Sequence, residues 1–303
     1  MRNNTDEVPS NFPAKGNPDT AQQRTIMAGG LERTYLIQKP AGNGPFPLVV
    51  LLHGGTQTAS QVWAETSLPT LAARDNFILV APNGVNKHWN DGRGAVLGGS
   101  GSTADDVGFL RSVISQVVAQ DHADPRAVFM VGPSNGGFMT QYFACQSAET
   151  LRAAANVISD LPVSIAQKCK PSKALPWLSI NGTADPLIPF AGQGEGVVKN
   201  GQEQPALLSA DLTFKFWADH AGCSAQVETT RFQGADGKWV EKRVRRGCNG
   251  APYSVQYVCY GSGHVWPGTP IRLAFIRRII GQPTMAFDSG TVIWDFFKST
   301  LGR

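Results

Sequence analysis

Val128-Phe-Met-Val-Gly-Pro-Ser-Asn-Gly-Gly137 decides how the rest of this chain is read. The apolar run Val128 to Val131 empties into Gly132-Pro-Ser-Asn-Gly136, and the segment from Phe138 to Cys145 then reads as a helix. This is a G-x-S-x-G turn between a buried strand and a helix, with Ser134 at its apex. Gly132 and Gly136 lack a Cβ, so strand and helix can cross closely and hold Ser134 in a conformation that a relaxed chain avoids. Such strain projects the hydroxyl out of the sheet and aims the helix N-terminus at the reacting atom.

A serine hydroxyl needs a base to become a nucleophile at neutral pH. The chain has five histidines: His53, His88, His122, His220 and His264. Around an elbow of this kind the acid and then the base follow the nucleophile in chain order, which leaves His220 and His264. His220 ends the amphipathic pattern Thr213 to Cys223 and reads as a solvent-facing residue near a helix C-terminus. His264 follows the apolar run Tyr253 to Cys259 and sits in the glycine-rich loop Gly261-Ser-Gly-His-Val-Trp-Pro-Gly268. A loop at a strand's end presents catalytic groups from a rigid scaffold, so His264 is the expected base. The acid should follow the strand after the elbow. Leu175 to Gly182 is a short apolar strand, and Asp185 lies in the turn beyond it, where its carboxylate can accept from the imidazole Nδ1–H. An Asx-turn before Pro186 is its structural alternative. Asp160, after the preceding strand, is its rival.

Pro47-Leu-Val-Val-Leu-Leu52 reads as a parallel strand buried on both faces, and it leads into His53-Gly-Gly-Thr56. The backbone amides of Gly55 or Thr56, with that of Asn135 after the nucleophile, are expected to form an oxyanion hole. His53 is expected to order this loop by hydrogen bonding rather than to transfer protons. Trp89 and Trp266 are candidates for a flat aromatic wall in the substrate cleft, with plain packing as the alternative.

Leu52-His-Gly-Gly55, Asp106-Val-Gly-Phe-Leu110, Gly132-Pro-Ser-Asn-Gly-Gly137, Asn181-Gly-Thr-Ala-Asp-Pro186 and Gly263-His-Val-Trp-Pro-Gly268 occur in this order. In these motifs the chain resembles the secreted α/β-hydrolase esterases that include feruloyl esterases, acetyl xylan esterases and polyhydroxybutyrate-depolymerase-like enzymes. The likeness runs from about Arg33 to the helix Thr291 to Phe297. It implies a triad of Ser134, Asp185 and His264 and a cofactor-independent ester hydrolase acting through an acyl-enzyme. The implied substrates are feruloyl-type or short acyl esters first, and hydroxyalkanoate polyesters or oligoesters second. Other readings are a catalytically silent hydrolase-fold binding protein and an amidase or peptidase. The chain departs from the family at Pro133 and in the loop Phe190 to Ser209, and such loops help set substrate choice. Cysteines are frequent in this family at the places of Cys223 and Cys248, which implies a disulfide between them; Cys145 and Cys169 are a possible second pair.

The 303 residues, with 42% hydrophobic content, suit one large α/β domain over 25–303 behind a polar flexible tail at 1–24. A formal charge of +4 is spread along the chain. Its one cluster, Lys238 to Arg246, reads as a charged edge hairpin rather than a polyanion site, so no nucleic-acid partner is expected. No apolar run is long enough for a membrane span. None of the five cysteines forms a C-x-x-C pair, and the few histidines have other readings, so no metal site is expected. Cys259 reads as a buried free thiol. Disulfides imply an oxidising compartment, and Met1 to Asp6 lacks a signal peptide's apolar core, so the expectation is a secreted or periplasmic protein whose signal has been removed. Oligomeric state is open. Strands are expected at 48–52, 77–81, 127–131, 153–158, 176–180 and 254–259 after a first hairpin at 23–38. Helices are expected at 63–74, 105–120, 136–145, 208–221 and 290–301, giving a doubly wound, mostly parallel sheet. Asp105 and Asp106 are expected to cap the second of these helices.

Overall fold

Val128 and Met130 pack on one face of their strand, and Phe129 and Val131 on the other. The same two-residue alternation, buried both ways, runs through the central strands and makes them a sheet covered on both sides. The computed structural model describes residues 9–94, 103–199, 202–271 and 273–302. Its strands are β1 (Gln22–Ala28), β2 (Leu31–Gln38), β3 (Phe46–Leu51), β4 (Ile78–Pro82), β5 (Ala123–Pro133), β6 (Ala153–Val157), β7 (Trp177–Gly182), β8 (Val198–Lys199), β9 (Gln202–Glu203), β10 (Val227–Gln233), β11 (Trp239–Arg246) and β12 (Tyr253–Cys259). Ten of them form one sheet in the order β1-β2-β4-β3-β5-β6-β7-β12-β11-β10. The pairs from β4 through β3, β5, β6 and β7 to β12 are parallel, and an antiparallel hairpin closes each edge. The order reverses direction at β3, so the C-terminal ends of β3 and β5 flank the crevice where ligands bind in open sheets. This is the expected fold class.

The helices are α1 (Ala59–Glu65), α2 (Leu68–Asp75), α3 (Asp106–Asp121), α4 (Asn135–Ser147), α5 (Val163–Ala166), α6 (Ala210–His220), α7 (Ala274–Ile280) and α8 (Ser289–Ser299). One face of the sheet packs with Trp63, Phe77, Trp294 and Phe297, from α1, α8 and the residue before β4. The other packs with Phe109, Val113, Phe143 and Trp217, from α3, α4 and α6. Trp177 of β7 stacks on Trp217 with ring centroids 3.9 Å apart.

Several expectations are corrected. The single helix at 63–74 is two, because Thr66 is extended and Pro69, in the first turn of α2, starts a new helix. Asp105 caps α3 by accepting from the Gly108 amide at 2.8 Å. Asp106 does not share that task; it is buried and pairs with Arg33 of β2 at 2.7 Å. Ser102, at the head of the helix-start pattern Ser102-Thr-Ala-Asp-Asp106, lies outside the described residues. Within the expected tail, Gly16 donates to the Thr66 carbonyl at 3.0 Å and Lys15 pairs with Asp288 at 2.8 Å, so the chain is already docked there. Helix α7 went unread: Leu273, Phe275 and Ile279 face solvent, and no apolar stripe marks it. The basic cluster on β11 lies on the edge hairpin. Its arginines pair with carboxylates, Arg243 with Glu241 and Asp211, Arg245 with Asp219, and Arg246 with Glu228.

Candidate active site

Ser134 has φ 49° and ψ −121°, a left-handed conformation that an L-residue adopts only when its surroundings force it. The surroundings are glycine backbone. A Cβ on Gly132 would stand 2.5 Å from the Gly136 carbonyl carbon, and one on Gly136 would stand 2.6 Å from the His53 oxygen. Strand β5, helix α4 and the loop after β3 therefore meet with no room for a side chain between them. The Ser134 amide is tied to the Val157 carbonyl of β6 at 2.9 Å, while its part-exposed hydroxyl makes no hydrogen bond among the described residues.

Asp185 uses its two oxygens differently. Oδ1 accepts from the amides of Leu187 and Ile188, both at 2.8 Å, so the Asx-type turn is real. Oδ2 is left for His264, whose Nδ1–H donates to it at 2.7 Å in a nearly enclosed setting. The His264 loop is drawn in by backbone. Its amide donates to the Ile280 carbonyl at 2.6 Å and the Gly263 amide to the Gln282 carbonyl at 2.8 Å. A Cβ on Gly182 or Gly263 would collide with backbone within 2.3 Å. The orienting bond leaves His264 Nε2 as the basic nitrogen.

Asp160 is fully buried. It accepts from Asn181 Nδ2 at 3.1 Å through Oδ1, and Oδ2 has no partner. Burial, reinforced by the charge of Asp185, pushes its carboxyl well above the usual carboxylate range. Among the described residues no hydrogen bond or ion pair joins it to His264. His220 is exposed at the end of α6, with Nδ1–H donating to the Phe216 carbonyl at 2.8 Å.

On the oxyanion side, Thr56 is removed as a donor, because its amide is committed to the Lys87 carbonyl at 2.9 Å. The amides of Gly55 and Asn135 have no acceptor among the described residues. The two residues adjoin, since a Cβ on Gly55 would lie 3.6 Å from that of Asn135. His53 accepts the Gly84 amide at Nε2 (2.9 Å), so its Nδ1 carries the proton and donates to the Gly54 carbonyl at 2.7 Å. Burial lowers its pKa to about 4, and it stays neutral.

Trp89 and Trp266 do not form an exposed wall. They are 3% and 2% accessible. Trp89 Nε1 donates to the His53 carbonyl at 2.9 Å, which makes its ring a support for the loop. Trp266 packs into the core. Three groups near the site were not singled out from sequence. Asn135 donates from Nδ2 to Asp91 at 2.6 Å, and Arg93 grips Asp91 at 2.6 Å. The His88 ring borders Gly55, about where a Cβ there would be 3.4 Å away. Nothing in their local pattern marks them, since only the folded loop brings 88–93 over α4.

Cys223 and Cys248 are joined by a disulfide, as are Cys145 and Cys169, while Cys259 is buried and free. Burial raises the Cys259 thiol pKa and keeps it protonated.

Residues 33–167 match the family described as esterase PHB depolymerase. The chain is 30% identical over 204 residues to feruloyl esterase B of Piromyces equi, covering 64% of this chain and 36% of that protein's length. It is 28% identical over 260 residues to the probable feruloyl esterase C of Aspergillus niger, covering 82% of this chain and 87% of that one. The acetyl xylan esterase from Aspergillus awamori superposes with a TM-score of 0.54 at 15% identity, over 85% of this chain and 98% of that one. The chain is thus similar in sequence to esterases over part of its length, and it shares the α/β-hydrolase fold of the acetyl xylan esterase.

Proposed function

We propose that this chain is a serine carboxylic ester hydrolase working through an acyl-enzyme, with Ser134 as nucleophile, His264 as base and Asp185 as its orienting acid. The observation that carries the reading is the 2.7 Å contact of Asp185 with His264, at the C-terminal ends of parallel strands, as is the strained Ser134. Ser134 attacks the ester carbonyl and gives its proton to His264 Nε2. The hydroxyl must come within hydrogen-bond reach of that nitrogen as the ester binds, since catalytic hydrogen bonds tighten in the substrate complex. The amides of Gly55 and Asn135 hold the oxyanion, each worth about 3 kcal/mol of barrier. His264 then protonates the leaving alcohol, and water, activated by the same ring, releases the acid. No cofactor enters the cycle.

A feruloyl-type ester is the first substrate class, supported by the relatives named feruloyl esterases. A hydroxyalkanoate oligoester is the second, supported by the family match. Relative kcat/KM on methyl ferulate and on a 3-hydroxybutyrate oligomer separates them. Both disulfides fit an exported protein. The mechanism is tested with a fluorophosphonate probe and Ser134→Ala. Labelling of Ser134 and loss of turnover in the folded variant are expected; a protein that stays unlabelled, or a variant that still hydrolyses ester, refutes it.

A further inference from the structure

The oxyanion turn 53–56 is held from behind by a side chain that the proposed cycle does not use. The Gly54 amide donates to Gln57 Oε1 at 2.9 Å, and Gln57 Nε2 donates to Glu65 Oε1 at 2.6 Å. The direction is forced. A backbone N–H can only donate, so the atom facing it is the amide oxygen, and the NH₂ must turn to an acceptor at Glu65. A Cβ on Gly54 would lie 2.8 Å from Gln57 Oε1, so the strut fits only against glycine. Glu65 itself is fixed. It ends α1, whose start is locked by a capping box between Thr58 and Gln61, and its carbonyl accepts from Thr269 Oγ1 at 2.7 Å, five residues past His264. One helix end thus touches both the oxyanion turn and the loop of the base.

We propose that Gln57 and Glu65 are positioning residues for the oxyanion hole, Gln57 bracing the turn that aims the Gly55 amide and Glu65 fixing the orientation of the Gln57 side chain. This rests on the esterase reading above and deepens it. Thr56 sits at φ 66°, unfavourable for a β-branched residue, so the turn needs such bracing to keep its shape. Burial raises the Glu65 carboxyl to about 7, and the Gln57 contact lowers it only in part. Asp288, which accepts from Ser67 just past this helix, is paired with Lys15 at 2.8 Å. Above that pH the anchor is a carboxylate and its bond to Gln57 is charge-assisted. Below it, the carboxylic acid can donate to Gln57 Oε1 and draw that oxygen away from Gly54. The brace therefore weakens as pH falls through neutrality.

The test compares kcat and KM on 4-nitrophenyl butyrate from pH 5 to 9 for the wild type, Gln57→Met, Glu65→Leu and Glu65→Gln, with Ser134→Ala as control. Gln57→Met and Glu65→Leu are expected to lower kcat at pH 8 by roughly 10- to 100-fold with KM nearly unchanged, since small misplacements of a catalytic donor have effects of this size. Glu65→Gln keeps an acceptor for Gln57, so it should restore most of kcat and remove one ionisation near neutrality from the profile. Wild-type kcat in Gln57→Met, or a Glu65→Gln profile identical to wild type, overturns the proposal. Should Gln57→Met fail to fold, the Glu65→Gln profile still decides. Residual turnover in Ser134→Ala marks failure of the esterase reading instead.

Discussion

Asp160 and Asp185 carry the same carboxyl at the ends of neighbouring strands, and the fold gives them different work. Asp185 meets two amides and an imidazole, whereas Asp160 meets one amide and keeps an oxygen without a partner. Asp185→Asn is expected to lower kcat on the order of 10⁴-fold, if the serine-protease precedent transfers. Asp160→Asn should leave kcat within a few-fold of wild type, because no hydrogen bond or ion pair joins Asp160 to His264 among the described residues. It should also change stability in a pH-dependent way. The folded protein keeps the Asp160 proton while the unfolded chain releases it above the ordinary value of 3.8, so wild-type stability falls as pH rises from there. The variant escapes that loss. Its melting temperature is expected to exceed wild type near pH 7, with the gap closing toward pH 4; a gap that ignores pH would show that Asp160 is ionised in the fold.

Helix α4 and strand β5 form the element pair on which the site is built. Gly136→Ala places a methyl group against the His53 carbonyl, and backbone cannot rotate out of the way as a side chain can. A loss of about 1–3 kcal/mol is expected in urea unfolding, as for other overpacked interiors. The fall in kcat should be larger than this stability loss explains, because the nucleophile and the oxyanion turn move apart. Wild-type kcat in this variant would mean the close crossing is dispensable. The Cys223–Cys248 bridge works at the same scale, tying the turn after α6 to the turn between β11 and β12. Replacing both cysteines by serine should cost ~3 kcal/mol with kcat unchanged. A similar drop in kcat would place the bridge in control of the site.

For the molecule as a whole, acid stability carries the signature of a buried neutral imidazole. His53 is held at about 4 against an ordinary 6.5, so below 6.5 the unfolded chain takes a proton that the folded protein refuses. Stability should fall between those values by about 3 kcal/mol from this residue. His53→Gln should flatten that part of the curve, and an unaltered slope would assign the acid loss elsewhere. The fold itself was largely legible. Strands buried on both faces appear as unbroken apolar runs, and the helices between them carry apolar faces, so the doubly wound order could be read along the chain. Helix α7 could not, since its apolar residues point outward and Phe275 is 62% accessible. Nor could the fate of Trp89, Trp266 and Thr56, because a ring's burial and an amide's partner depend on segments far away in sequence. The sequence alone determined the residue types, their order and the turns that present them: an elbow serine, a histidine in a glycine loop and two candidate acids. Only the tertiary structure decided which acid meets the imidazole, which amides stay uncommitted and what braces them. The reason is physical: hydrogen bonds act over about 3 Å, and residues 79 positions apart, as Asp185 and His264 are, come within that range only when the sheet brings β7 beside β12.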